Sequence, residues 1–393
     1  MKFLRFISIL LTAFVLVPLA PARASSQKEM RIHVIYHGNG LSATDAYAGD
    51  AVLIESKGKY LLMDTGTKAS ALKYVIPYIH RIADVSGWPP SPVPFSMPSG
   101  GGDHQVALVS PSPPKLISVD VYISHYHGDH YGGLNEILKD NRIIVNKVYL
   151  PGIKEVRSVV NSAGKTVTHV KQVERENTVV GWVTKRMGKN PVHLNTGSKI
   201  AIGDAKLKVI GPVGKHLKNY RRLVSETRRL GTPIPHEVKD NGVYTNNYSL
   251  VSMITCGKTK YLTAGDIEGK AGRIKNAVKR EEDYLVDKYG KKLKADILKL
   301  SHHGIYPSNS STFLKKVNPT YMFITNDVTN HLSIQNTWDR ATDRGLCYMM
   351  GTERRGLIFD VRNNNISLYR GNLSPASRMQ GYTRLRGLLP RLR

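Results

Sequence analysis

"SHYHGDHYGG" (residues 124–133) places His125, His127, Asp129 and His130 within six positions and closes on two glycines. The residues before it, "LISVDVYIS", are rich in β-branched side chains and partly alternate, which predicts a buried strand ending at Ser124. Four imidazole and carboxylate groups therefore sit on the loop where a strand stops. On such a loop, donors spaced by two and by four or five residues can converge on a divalent cation, and Gly128 gives the backbone room to turn. Five of the fourteen histidines fall in this motif and in "LSHHG" (300–304). A polar solvent loop that happens to be His-rich does not account for that concentration.

Outward from the motif, the chain reads as alternating strands and helices. "RIHVIYH" (31–37), "DAVLIES" (50–56) and "KYLLMDTG" (59–66) predict successive strands with short turns, and residues 68–82 have helical spacing. Residues 87–114 are rich in Pro, Gly and Ser and read as an insertion without regular structure. A helix follows the motif at "GGLNEILKD", then a strand at "KVYLP". Segment 152–192 is polar, basic and partly helical, and 198–212 predicts a hairpin. Two strands joined at Gly257 span 246–266, a Lys-rich helix pair follows, and further strands end at "ADILKLSHHG" (295–304), "YMFIT" (321–325), 356–361 and 365–369. No internal sequence repeat is visible. The alternation falls into two halves, which predicts an α/β chain with two mixed sheets packed face to face and helices outside, an αββα sandwich.

Residues 1–24 carry Lys2 and Arg5, then "FISILLTAFVLVPLA", then Ala22-Arg23-Ala24, the layout of a cleavable secretory signal. The expectation is a secreted or envelope-associated protein, one folded domain over 25–370 and a basic tail over 371–393, with no later segment apolar enough to cross a membrane. Lys and Arg outnumber Asp and Glu by 57 to 30. That excess points to a polyanionic partner such as nucleic acid or teichoic acid, or to residence on an anionic cell envelope. The charge is clustered: Lys215, Lys218, Arg221, Arg222, Arg228 and Arg229 face one acid, Glu226, and the tail after Arg370 has five arginines and no acid. Cys256 and Cys347 lie in apolar segments without a CxxC or nucleophile context and read as core residues. Export would permit a disulfide, but nothing in the sequence pairs them.

"HYHGDH" matches the H-x-H-x-D-H signature of the metallo-β-lactamase superfamily, "LLMDTG" resembles its earlier strand–Asp–x–Gly element, and "LTAGD" its bridging-aspartate motif. Within the superfamily, "NNYSLV", "YLTAGDIE", "DILKLSHHG" and "SNSSTFLKKVNPTYMFIT" are most similar to the hydrolase domain of ComEC-type DNA-uptake proteins and to secreted phosphorylcholine esterases. The likeness spans most of 31–370, but not the Pro/Gly insertion, segment 152–192 or the tail.

The resemblance implies two divalent ions, zinc or manganese. His125 and His127 would bind one, Asp129 and His130 the other, and Asp266 would bridge them. Of the adjacent pair, His302 is assigned to the second ion and His303 to the substrate phosphoryl group, an order the residues themselves leave reversible. Asp64 would orient a ligand histidine. The first ion commonly has a third histidine where this chain has Asn246, Asn247 and Ser249, a change that suits an oxygen-preferring Mn²⁺. Asn247 and His331, with Arg221 and Arg222, are assigned to the substrate; as a lone Asn, Asn247 is also expected to cap a turn. Two cations sharing a water would lower its pKa enough to supply hydroxide near neutral pH, with Asp266 and His303 as catalytic groups. The leading expectation is a metal-dependent phosphodiesterase acting on a polyanion. A hydrolase of small esters, lactones or β-lactams and a non-catalytic basic binding protein are the alternatives.

Overall fold

The computed structural model describes residues 27–38, 48–84, 114–152, 159–160, 166–167, 169–213, 245–269, 279–326, 332–353, 356–371 and 383–384. The leader, most of the Pro/Gly insertion, the basic segment 215–229 and nearly all of the tail lie outside the described residues. None of the described helices is long and apolar enough to cross a membrane.

The first half contributes β1 (Glu29–Val34), β2 (Val52–Ser56), β3 (Lys59–Met63), β4 (Ile117–Tyr122), β5 (Ile143–Pro151), a small ribbon of β6 (Val159–Val160) and β7 (Thr166–Val167), and β8 (Val192–Leu194). The second contributes β9 (Lys199–Ile202), β10 (Ala205–Gly211), β11 (Val251–Cys256), β12 (Thr259–Thr263), β13 (Ile297–Lys299), β14 (Tyr321–Ile324) and β15 (Leu346–Met349). Three last strands, β16 (Gly356–Arg362), β17 (Asn365–Gly371) and β18 (Thr383–Arg384), return to the first sheet. That sheet has the order β18-β17-β16-β1-β2-β3-β4-β5-β8, and the second β15-β14-β13-β12-β11-β10-β9.

Both sheets are mixed in the same sense. β1 to β3 pair antiparallel and β3, β4, β5 and β8 pair parallel; β9 to β12 pair antiparallel and β12 to β15 pair parallel. The halves thus share a topology without sharing a sequence repeat. Parallel neighbours need long crossovers, and helices Ile76–Asp84, Leu134–Lys139, Glu281–Tyr289, Ser311–Val317 and Leu332–Thr342 lie in them. Segment 152–192 forms helix His169–Met187 and then β8.

Side-chain alternation builds three apolar layers. In the β9–β10 hairpin Ile200, Ile202, Leu207 and Val209 turn inward while Lys199, Lys206 and Lys208 face solvent. Between the sheets, Ile32, Ile54, Leu61, Tyr122 and Phe359 meet Leu207, Ile254, Tyr261 and Phe323. Outside the first sheet Leu53, Leu62 and Val121 pack with Ile79, Leu134 and Val179, and outside the second Leu262, Leu298 and Met322 pack with Leu285, Phe313 and Leu314. This is the expected αββα sandwich. Cys256 is buried, Cys347 half-buried, and both are free thiols.

Expected strands are shortened where residues leave the ladder to serve the site. The run 50–56 begins as strand at Val52, so Asp50 stands free of it, and the run 59–66 stops at Met63 because Asp64 adopts a left-handed φ of 57°. The Phe359 ring lies 5.9 Å from those of Tyr321 and Phe323 across the sheet interface. Phe359→Ala should therefore lower the unfolding free energy by about 3–5 kcal/mol in a urea titration. A loss under about 1 kcal/mol, typical of surface positions, would remove this ring from the main core.

Candidate metal centre

The end of β3 clamps the end of β4. Asp64 Oδ1 accepts a hydrogen bond from Ser124 N at 2.7 Å; its Oδ2 accepts from Ser124 Oγ at 2.7 Å and faces His130 Nδ1 at 2.9 Å. Thr65 donates to the His130 carbonyl from both its amide, 2.7 Å, and its hydroxyl, 2.8 Å. The two loops touch so closely that a Cβ on Gly133 would lie 2.4 Å from Ala71 Cβ, and one on Gly49 would lie 1.5 Å from the Asp129 carbonyl oxygen. "MDTG" and "HYHGDHYGG" are thus one interlocked unit.

The second sheet supplies the rest. Asp266 follows β12, its amide bonded to Ser249 Oγ at 3.1 Å. His302 and His303 follow β13 and both take φ of 50°, a strained conformation for side chains other than glycine. Strain there turns the His303 ring inward. Its Nε2 lies 3.3 Å from Asp129 Oδ2, 3.3 Å from Asp266 Oδ2 and 3.3 Å from His130 Nε2. His130 Nε2 lies 3.1 Å from Asp266 Oδ2 and 3.8 Å from Asp129 Oδ2. Four donors at about 2.1 Å from a tetrahedral cation stand about 3.4 Å apart, so this set has the right spacing.

Hydrogen-bond chemistry makes the same point. His130 Nδ1 faces Asp64, and His303 Nδ1 faces Thr325 Oγ1 at 3.0 Å and Asp50 Oδ1 at 3.2 Å. With each Nδ1–H donated outward, each Nε2 presents a bare lone pair. Two lone pairs and two carboxylate oxygens then converge with no hydrogen between them, an arrangement that a cation satisfies. A second group adjoins it: His125 Nε2 is 3.1 Å from His127 Nδ1 and 3.8 Å from Asp266 Oδ2. Asp266 Oδ2 belongs to both groups. The residues present therefore fit two divalent cations sharing Asp266.

The charges of these groups act strongly on one another. Burial alone would lower His130, but Asp266, Asp129 and Asp64 outweigh it and hold the ring well above the usual imidazole value. His303 is raised likewise, Asp266 and Asp50 overriding its burial. Burial of Asp266 is in turn outweighed by His130 and His303, which hold its carboxyl well below the usual range. His125 is pushed well down by burial and by His130, and His127 to about 4 chiefly by burial.

The structure brings together His125, His127, Asp129, His130 and Asp266, with Asp64 behind His130. It exchanges the two histidines of "SHHG". His303, expected at the substrate, is the ring inside the ligand group. His302, expected on the second ion, instead lies with Nε2 3.4 Å from Asn246 Nδ2 and Nδ1 3.8 Å from Glu268 Oε1. Contacts of His303 Nδ1 with Thr325 and Asp50 hold that ring in the group, and residue types alone cannot reveal it. Asn247 also departs from its expected substrate role: it is buried and its Oδ1 accepts from the amides of Glu268, 3.2 Å, and Glu281, 3.1 Å, stapling two loops. His331, Arg221 and Arg222 lie outside the described residues.

Several participants carry no motif signal. Asp50 Oδ2 is 2.5 Å from Lys299 Nζ and its Oδ1 accepts from Thr325 Oγ1 at 2.6 Å. Asp50 touches the Nδ1 sides of His130 and His303, so it supports these rings from behind. Lys299 is almost wholly buried, donates to the Gly265 carbonyl at 3.1 Å and stands 3.7 Å from Asp266 Oδ1. A lysine inside the apolar run "ADILKLS" is the clue that was available, since a buried lysine requires a partner. Of these side chains His127 and His302 are half-buried, while His125, Asp129, His130, Asp266 and His303 are buried. The partly exposed side of the centre is the side of those two rings.

No protein-family model matches the chain, and no curated protein does. Among solved structures it is similar to the metallo-β-lactamase fold protein YhfI from Bacillus subtilis, 12% identical over 84% of this chain and 99% of that one, with a TM-score of 0.43. The diiron β-hydroxylase CmlA from Streptomyces venezuelae is 13% identical over 86% of this chain and 54% of that one, TM-score 0.40. Zn(2+)-bound PqqB from Methylobacterium extorquens is 12% identical over 81% and 97%, TM-score 0.38. The chemistry of the centre rests on its own geometry.

His303→Ala should halve the divalent metal retained after dialysis, read by mass spectrometry of the purified protein, whereas His302→Ala should retain the wild-type content. Asp64→Ala, which frees the His130 ring, should weaken metal affinity about 10–100-fold. Equal losses in the two histidine variants would put both rings in the ligand set.

Proposed function

We propose that this chain is a secreted, metal-dependent hydrolase that cleaves phosphodiesters in a polyanion, nucleic acid or a wall or membrane polymer, as its resemblance to ComEC-type and phosphorylcholine esterase domains implies. The observation that carries the reading is the convergence of His130 Nε2, His303 Nε2, Asp129 Oδ2 and Asp266 Oδ2 beside His125 and His127, with Asp266 common to both groups. Catalysis without that convergence would have no place to begin.

His125, His127 and Asp266 would hold one cation, and Asp129, His130, His303 and Asp266 the other; zinc or manganese there would supply Lewis acidity and an acidified water. The protein's own groups do the positioning. Asp64, Asp50 and Thr325 lock the two inner imidazoles in the tautomer whose Nε2 faces the cavity. Lys299 beside Asp266 Oδ1 leaves Oδ2 turned toward the ligands. His302, half-buried at the opening, offers a ring nitrogen to a substrate oxygen in the place first given to His303. The apolar layers on both faces keep bulk water out of the pocket behind these rings, which strengthens each charge interaction there.

Charge supports a polymeric substrate. Lys215, Lys218, Arg221, Arg222, Arg228 and Arg229 precede "TNNYS" in the chain, and Thr245–Asn247 lie beside His302. Phosphate contacts from such a segment displace counterions and make binding salt-dependent.

The test is turnover of bis(p-nitrophenyl) phosphate, plasmid DNA, RNA and teichoic acid by chelated protein reloaded with Zn²⁺ or Mn²⁺. Either metal should restore hydrolysis, with Mn²⁺ at least as effective, and His127→Ala and Asp266→Ala should each abolish it while leaving a folded protein. Hydrolysis confined to lactones or β-lactams would sink the phosphodiesterase reading. Neutralising Arg221, Arg222, Arg228 and Arg229 together should raise KM for the polymer and flatten its salt dependence while leaving kcat for the small diester almost unchanged. An unaltered polymer KM would reduce the segment to a solvated face.

A further inference from the structure

Helix His169–Met187 belongs to the segment that the sequence resemblance does not cover, yet it is seated against the ligand loop. Val179 and Val183 are buried in the outer apolar layer, and the Trp182 ring lies 5.9 Å from that of Tyr131. From this helix Arg175 extends Nη1 to the main-chain oxygen of Tyr126 at 3.1 Å. Tyr126 is the residue between His125 and His127, and its hydroxyl is anchored on the Pro151 carbonyl at 3.1 Å. The guanidinium is therefore held beside the His127 lip of the opening.

Among the described residues two other cations adjoin the centre, and both are neutralised locally. Lys299 is buried against Asp50, and Arg280 is paired with Glu268. Arg175 differs. It is half-buried, its bond to Tyr126 uses one of five N–H donors, and among the described residues it pairs with no carboxylate; the next acid on its helix, Glu176, is bonded to His193 at 2.9 Å. A planar fork with free donors at the mouth of a cation-binding pocket matches an oxyanion, which two parallel N–H groups can hold.

We propose that Arg175 is the substrate-anchoring residue of this centre, holding a non-bridging phosphoryl oxygen at the His127 lip and so favouring anionic phosphoryl centres over uncharged esters. This rests on the phosphodiesterase reading above, and it places a specificity determinant on an element that the family likeness leaves out.

The competing role is structural, a pin on the Tyr126 carbonyl. Arg175→Gln separates the two, because glutamine keeps an N–H donor for that carbonyl and loses the charge and the fork. Metal-loaded Arg175→Gln should keep the wild-type metal content and melting temperature but bind inorganic phosphate and dimethyl phosphate about tenfold more weakly by calorimetry, the worth of one charge-assisted hydrogen bond. Arg175→Lys should fall between, and the loss with bis(p-nitrophenyl) phosphate should appear in KM more than in kcat. If the wild type hydrolyses no diester yet loses phosphate affinity on this substitution, the proposed function fails and the anchor stands. Equal phosphate affinity in the variant and the wild type, no phosphate binding by either, or loss of metal in Arg175→Gln would overturn the anchor.

Discussion

His130 Nε2 and His303 Nε2 lie 3.3 Å apart, and contacts on their far sides hold each of them 3.1–3.8 Å from the Oδ2 atoms of Asp129 and Asp266. Packed acceptors of this kind repel unless positive charge lies between them. The surroundings are arranged to keep them there: Asp64, Asp50 and Thr325 fix the tautomers, and Asp266 is set by Ser249 on one side and Lys299 on the other. The strained turn at His302–His303 is stabilised in the same way. Ser301 N donates to Asn309 Oδ1 at 2.8 Å, and Asn309 Nδ2 donates back to the Ser301 carbonyl at 2.9 Å.

Topology explains why the donors can meet. The parallel stretches of the two sheets, β3 to β5 and β12 to β14, deliver their carboxyl ends to one rim of the sandwich, where the strand-end loops interleave. Antiparallel hairpins could not place Asp64, His130, Asp266 and His303 on one rim from successive strands. The crossover helices that parallel pairing demands cover the outer faces, so the fold and the centre follow from one arrangement.

Charge is then partitioned by depth. Among the described residues Lys299 is matched to Asp50 and Arg280 to Glu268, while Arg175 pairs with no carboxylate beside the ligand loop. Desolvation makes an unpaired buried charge costly, and an interfacial one is available to a ligand.

Local pattern determined much of this protein. Alternation and β-branched runs predict nearly every strand, because burying one face of a strand imposes a period of two residues; two halves of strands with intervening helices predict the layers. The ligand loop is legible because its donors are close in sequence, and Asp266 because it ends a strand after a glycine. The tertiary structure alone decided which member of the 302–303 pair enters the centre, since that depends on the contacts of each ring, Thr325 and Asp50 at His303 Nδ1, rather than on residue type. It alone recruited Asp50, Thr325 and Lys299, because Asp50 meets the other two from the opposite sheet: Thr325 and Asp50 are 275 residues apart. It alone turned Asn247 from the substrate to two main-chain amides and set Arg175 against the ligand loop. Spacing along the chain reports how one strand meets the core; which strand ends share a rim is set by the packing of whole sheets, and no local pattern encodes it.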